Sequence, residues 1–189
     1  MITDRSSAVI ALGGNLPSAV GAPEQTLAAA IEAMAQAGMT VSAVSRFFRT
    51  PCFPAGAGPD FVNAAVCVTC DQDPREILQK LHEIERQFGR TRILRWGVRT
   101  LDLDLLAVGE CVQPDRETYE HWRHLPDDQQ ASVMPDRLIL PHPRLQDRAF
   151  ALVPMRDIVP TWTHPILGQN VVQMCDALAP EAIGDVIPL

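Results

Sequence analysis

Only one of the sixteen Lys and Arg residues in this 189-residue chain, Lys80, is a lysine. The G-x-x-x-x-G-K-[ST] loop, whose lysine reaches the terminal phosphates of a nucleotide, has no match, so any phosphate held here is held by guanidinium groups. Long apolar runs are also missing. Nothing approaches the ~18 residues of a membrane span, and the N-terminus carries Asp4 before only a short run, Ala8 to Leu12, so neither a span nor a secretory signal is expected. A cysteine framework is absent too: the five cysteines, Cys52, Cys67, Cys70, Cys111 and Cys175, are odd in number and scattered, which suits reduced thiols and a cytoplasmic location. Excess positive charge is lacking. A formal net charge of -7 argues against a nucleic-acid binder that relies on long-range attraction to phosphate, and leaves a small anionic ligand open.

With 47% hydrophobic and 21% charged residues, the composition is that of one soluble globular domain spanning 1–189. A chain of this length buries about 70% of its unfolded surface and needs no disulfide scaffold. Ser7 to Leu12 reads as a buried strand stopped by Gly13-Gly14-Asn15, a turn signal. Gln25 to Ala37 carries Leu27, Ile31 and Met34 at helical spacing, with Gly38 as the stop. Thr40 to Arg49 alternates and reads as one strand; a Pro- and Gly-rich loop follows; Phe61 to Cys70 is β-branched and apolar, a second strand. Asp73-Pro74 supplies a cap and first-turn proline for a helix lined by Ile77, Leu81, Ile84 and Phe88. Leu101 to Val108 is the last strand.

The order β-α-β-β-α-β is that of an α+β ferredoxin-like sandwich. If each element reverses direction, the connections 13–24, 50–60 and 89–100 fall at one edge of the sheet, where a site is expected. Ten of the sixteen prolines lie in residues 110–189. That part is expected to wrap the domain as an irregular extension of loops and short helices without a second core, and residues 115–136, its most polar stretch, read as a surface insertion. Cys67 and Cys70 have redox spacing, but three residues along a strand put the two thiols on opposite faces. His121, His124 and Cys111 lack a fourth partner for zinc.

The chemistry concentrates in RWGVRTLDLDLL, Arg95 to Leu106. In a strand, Asp102 and Asp104 project together while Leu101, Leu103 and Leu105 turn into the core. Two adjacent carboxylates repel unless water or cations relieve them, and oxygen-only ligands favour Mg²⁺ shared with substrate phosphates. A bare D-x-D also fits an exposed strand face. Arg90, Arg92, Arg95 and Arg99, in a neighbouring loop without an acid, instead give the charge pattern of a polyphosphate held between metal and guanidinium clamps. Phe61 and Asn63, two apart on one strand face, offer a stacking surface beside a donor and acceptor.

LGGNL (Leu12 to Leu16), FFRTP (Phe47 to Pro51), DFVNAAV (Asp60 to Val66), RWGVRTLDLDLL and LILPHPRLQDRAF (Leu138 to Phe150) together resemble 6-hydroxymethyl-7,8-dihydropterin pyrophosphokinase of folate biosynthesis, over about residues 8 to 160. The resemblance implies a monofunctional enzyme that moves the terminal diphosphate of ATP to the pterin's hydroxymethyl group and releases AMP, using two Mg²⁺ ions and acting as a monomer. It implies that Asp102 and Asp104 ligate magnesium and act in catalysis with Arg90 and Arg99. Phe61 and Phe150 would sandwich the pterin, Asn63 would read its edge, and Thr50, Pro51 and Phe53 would belong to the loop closing over it. Arg92, Arg95, Trp96, His142 and Arg148, with Glu85 and Arg137, match ATP-binding positions.

Gly14 departs from the serine usual in that family, and Val98 and His82 also differ from its common pattern. Two other readings fit parts of the pattern. A nucleotidyltransferase also joins a Gly-Gly turn to a D-x-D pair, though shortly before it, whereas Gly14 and Asp102 stand far apart. A non-catalytic ferredoxin-like ligand-binding domain has no need of both aspartates and every loop arginine.

Overall fold

The computed structural model describes residues 6–52, 56, 58–89, 99–126, 129, 133 and 135–189. Strand β1 is Ser6–Gly14, and α1 is Pro23–Gln36, opened by Pro23 in its first turn and by Gln25, whose side chain accepts the Ala22 N–H at 2.9 Å. Strands β2 (Thr40–Val44), β3 (Phe48–Thr50) and β4 (Phe61–Cys70) follow. Helix α2, Pro74–Gln87, begins as its sequence dictates: Asp73 accepts from the backbone of Arg75 and Glu76, and Glu76 reaches back to the Asp73 N–H at 3.0 Å, a reciprocal cap. Strand β5 is Asp102–Val108. Beyond it come α3 (Arg116–Arg123), a 3₁₀ turn at Leu145–Asp147, α4 (Ala149–Ile158), α5 (Val171–Asp176), α6 (Pro180–Gly184) and β6 (Ile187–Pro188).

All pairings in the six-stranded sheet are antiparallel. The order is β5-β1-β4-β3-β6, with β2 also on β4. The single strand expected over Thr40 to Arg49 is therefore two. Ser45 causes the break: it turns inward, its hydroxyl accepts the Ala65 N–H at 2.9 Å, and Asp157 of α4 takes the Arg46 N–H at 3.2 Å in place of a ladder partner. At the opposite edge, buried Glu85 of α2 accepts the Leu103 N–H at 2.8 Å, which covers an otherwise open strand and fixes β5 in place.

One face of the sheet packs Ile10, Leu12, Val66, Val68, Leu101, Leu103 and Leu105 against Leu27 and Met34 of α1 and Ile77, Leu81 and Ile84 of α2. The other face corrects an expectation. Residues 110–189 do contribute to a second core, in which Leu145, Ala151, Leu152, Met155, Val171, Met174 and Cys175 cover Val9, Ala11, Ala65 and Leu106. β1 and β4 are apolar on both sides, so both faces must be covered, and the short helices α4 and α5 supply the second layer.

Helix α3, at the start of the 115–136 stretch, is anchored by one side chain. Tyr119 of α3 is fully buried, and its hydroxyl meets Nε2 of buried His164 at 2.9 Å. Nδ1 of His164 accepts the N–H groups of Ile166 and Leu167 at 3.2 and 3.3 Å, so the ring proton sits on Nε2 and is donated to the tyrosine oxygen. All five cysteines are free thiols. No helix among the described residues is long and apolar enough to cross a membrane.

Candidate active site

The end of β1 is the centre of the site. In the register of the sheet Gly13 faces Asn63 of β4 on one side and Asp102 of β5 on the other, and Ala11 likewise lies between Ala65 and Asp104. Cross-strand partners share a face, so Phe61, Asn63, Asp102 and Asp104 all project on the side that carries α4. The β1 residues between them are the smallest available. A methyl group on Gly13 would lie 3.1 Å from Asn63 Oδ1, so glycine leaves an open trough between the amide and the carboxylates.

Asn63 is buried and oriented. Its Nδ2 donates to the Thr50 hydroxyl at 2.8 Å, which turns Oδ1 towards Gly13. Phe61 is half-buried beside it, and Phe150, on the first turn of α4, is 38% exposed. The Arg148 guanidinium stands 5.6 Å over the Phe150 ring and donates to Asp104 at 3.3 Å; Arg99 pairs with Asp102. Among the described residues, Arg99 thus stands on Asp102 and Arg148 on Asp104.

His142 is half-buried. Its N–H holds the Leu106 carbonyl at 2.8 Å, and its Nδ1 accepts the Arg144 N–H at 3.1 Å. Desolvation, reinforced by the Arg148 and Arg144 guanidiniums, holds its pKa well below the ordinary histidine value, so the ring is neutral with its proton on Nε2. Of the other expected residues, Pro51 is exposed beside buried Thr50. Glu85 bonds the β5 backbone beside Asp102 and Asp104. Arg137 is exposed and pairs with Asp136 at 3.1 Å, with no contact to the two site aspartates. Phe53, Arg90, Arg92, Arg95 and Trp96 lie outside the described residues.

Asn15 was not expected here. It is 2% exposed, donates from Nδ2 to the Pro59 carbonyl at 3.1 Å, and accepts the Arg99 N–H on Oδ1 at 2.7 Å. The three connections expected at one sheet edge meet at this side chain. After Gly-Gly, inside the LGGNL block of the resemblance, it reads as a turn residue, and no local pattern reveals partners so distant in the chain. Gly14 is explained by the same closeness: a Cβ there would stand 2.6 Å from the Thr100 carbonyl oxygen.

A model of the family described as 7,8-dihydro-6-hydroxymethylpterin-pyrophosphokinase matches residues 9–160. The chain belongs to this pyrophosphokinase family. It is 36% identical over 182 residues to the 2-amino-4-hydroxy-6-hydroxymethyldihydropteridine pyrophosphokinase of Synechocystis, covering 96% of this chain and 80% of that one. It is 35% identical over 152 residues to the enzyme of the same name from Bacillus subtilis, covering 80% and 77%. Among solved structures, the HPPK-DHPS of Plasmodium falciparum superposes with a TM-score of 0.62 at 14% identity, over 92% of this chain; the chain spans 44% of that longer one, and the likeness is one of fold. The pyrophosphokinase transfers pyrophosphate from ATP to 6-hydroxymethyl-7,8-dihydropterin in folate biosynthesis. The nucleotidyltransferase and non-catalytic readings are set aside by this membership.

Proposed function

We propose that the transfer takes place across the row Asn63, Gly13, Asp102, with the pterin on the β4 side and the triphosphate on the β5 side, on a fold of the ferredoxin-like type. The strand order β5-β1-β4-β2 supports the fold reading. The observation that carries the site is the register, which brings an oriented amide and a carboxylate pair to either side of one glycine. A monomer acting in the cytoplasm belongs to the same reading.

On the pterin side, Phe61 and Phe150 stack on the two faces of the ring system, and Thr50 presents Asn63 so that Oδ1 accepts from the pterin's N–H edge. Pro51 and Phe53 belong to the loop beside it. On the phosphate side, Asp102 and Asp104 fit magnesium: they are hard oxygen donors on one face, with Gly13 and Ala11 leaving room. These two carboxylates would hold the magnesium ions, whose hard character suits oxygen donors shared with substrate phosphates. When bound, magnesium neutralises the triphosphate and orients it. Arg99 and Arg148 then turn from the carboxylates to phosphate oxygens, joined by Arg90, Arg92 and Arg95, while neutral His142 donates from Nε2 and Trp96 belongs to the nucleotide side. Glu85 serves by holding β5, and Arg137, paired with Asp136, belongs to the nucleotide side.

The hydroxymethyl oxygen bonds to the β-phosphorus as the bond from that phosphorus to the α,β-bridging oxygen breaks. AMP leaves with the bridging oxygen and the hydroxyl proton passes to water. Catalysis is alignment and charge neutralisation. The test is a separation of losses: Asn63→Ala should weaken binding of 6-hydroxymethylpterin and spare a magnesium-ATP analogue, whereas Arg148→Ala should do the reverse. Equal losses for both ligands in both variants would contradict the two-sided site.

A further inference from the structure

We propose that Asn15 is a positioning residue that locks the acceptor side of the site to its phosphate side. The inference rests on the two-sided assignment above. Besides its two side-chain bonds, the N–H of Asn15 donates to the Arg99 carbonyl at 2.9 Å, and the Leu16 N–H shares that carbonyl at 3.0 Å. Pro59, held by Nδ2, stands two residues before Phe61 and four before Asn63. Arg99, held through both backbone polar groups, carries the guanidinium that meets Asp102 and leads directly into β5.

One buried side chain therefore fixes the approach to the pterin-stacking strand and the approach to the metal-binding strand at the same time. A carboxamide suits the task because it donates from one end and accepts at the other without charge; aspartate only accepts, and alanine does neither. Neither ligand alone requires the two sides to be in mutual register. Transfer does, since a misplacement of about 1 Å between attacking oxygen and phosphorus costs about a hundredfold in rate. Loss of Asn15 therefore lowers turnover more than it weakens either ligand.

The experiment compares wild type, Asn15→Ala, Asn15→Asp and Asn63→Ala. It measures kcat at saturation, Kd for α,β-methylene-ATP with Mg²⁺, Kd for 6-hydroxymethylpterin, and thermal melting. Asn15→Ala is expected to lose at least tenfold in kcat while each ligand taken alone weakens less than threefold. Asn15→Asp, which keeps the acceptor for Arg99, is expected to recover part of that loss. A kcat for Asn15→Ala within threefold of wild type, or a kcat loss no larger than the weakening of the ligands, overturns the proposal. Asn63→Ala keeps the two layers apart. If it leaves pterin binding unchanged, the acceptor-side assignment has failed; if it weakens the pterin while Asn15→Ala behaves as wild type, only the role of Asn15 has failed.

Discussion

Asn63 and Asp102 are the two cross-strand neighbours of a single residue, Gly13, so the amide and the carboxylate stand on one face with only a hydrogen atom's worth of side chain between them. Each strand contributes what its sequence alternation allows. Leu101, Leu103 and Leu105 turn into the core formed with α1 and α2, and this forces Asp102 and Asp104 to the opposite face.

The aromatic pair gives the first prediction. Phe61→Ala and Phe150→Ala should each weaken 6-hydroxymethylpterin by about 1–3 kcal/mol, the stacking and area lost, with little change for the ATP analogue. Phe150 is 38% exposed, so its truncation should hardly alter thermal stability. Calorimetric titration of both ligands checks the first point, and melting curves the second.

Gly14→Ser should be harmful in this chain. Its Cβ would stand 2.6 Å from the Thr100 carbonyl oxygen, so backbone must move just before Asp102. Overpacking of this kind costs about 1–3 kcal/mol. Urea denaturation should register that loss, accompanied by a fall in kcat; a variant as stable and active as wild type would show that the turn yields freely.

The Tyr119–His164 contact predicts a pH dependence. Burial pushes the His164 pKa down from 6.5 to about 4. Between those values the unfolded chain binds a proton that the folded chain refuses. The contribution is therefore intact above pH 6.5 and is lost progressively as pH falls towards 4, to a total of about 3 kcal/mol. Denaturation series across that range should show the decline in wild type and a flatter profile in His164→Gln.

Much of this architecture is legible in the residues. Phe61 to Cys70 is apolar with β-branched Val62, Val66, Val68 and Thr69, Asp73-Pro74 announces α2, and the alternation from Leu101 gives both the strand and the shared face of its aspartates. What is not legible depends on partners far away. The expected long strand breaks at Ser45 because Asp157, 111 residues beyond Arg46, takes over the Arg46 backbone and pairs with its guanidinium. The second core escapes a search for period because α4 carries Pro154 in its interior, which reads as a helix breaker, and α5 has six residues. Asn15 bonds groups 44 and 84 residues distant, and nothing in Gly-Gly-Asn distinguishes that from an ordinary turn.

The claim that the carboxylate pair carries the chemistry is tested most directly by phosphorus NMR of the reaction with Mg²⁺, ATP and 6-hydroxymethyl-7,8-dihydropterin, run with wild type and with the Asp102→Asn, Asp104→Asn double variant. Wild type should release AMP and pterin diphosphate in equal amounts. The double variant, folded and still binding pterin, should turn over at least a hundredfold more slowly, because the amides keep the size of the side chains and lose the charge that holds metal against phosphate. A double variant that forms both products at the wild-type rate would contradict the account.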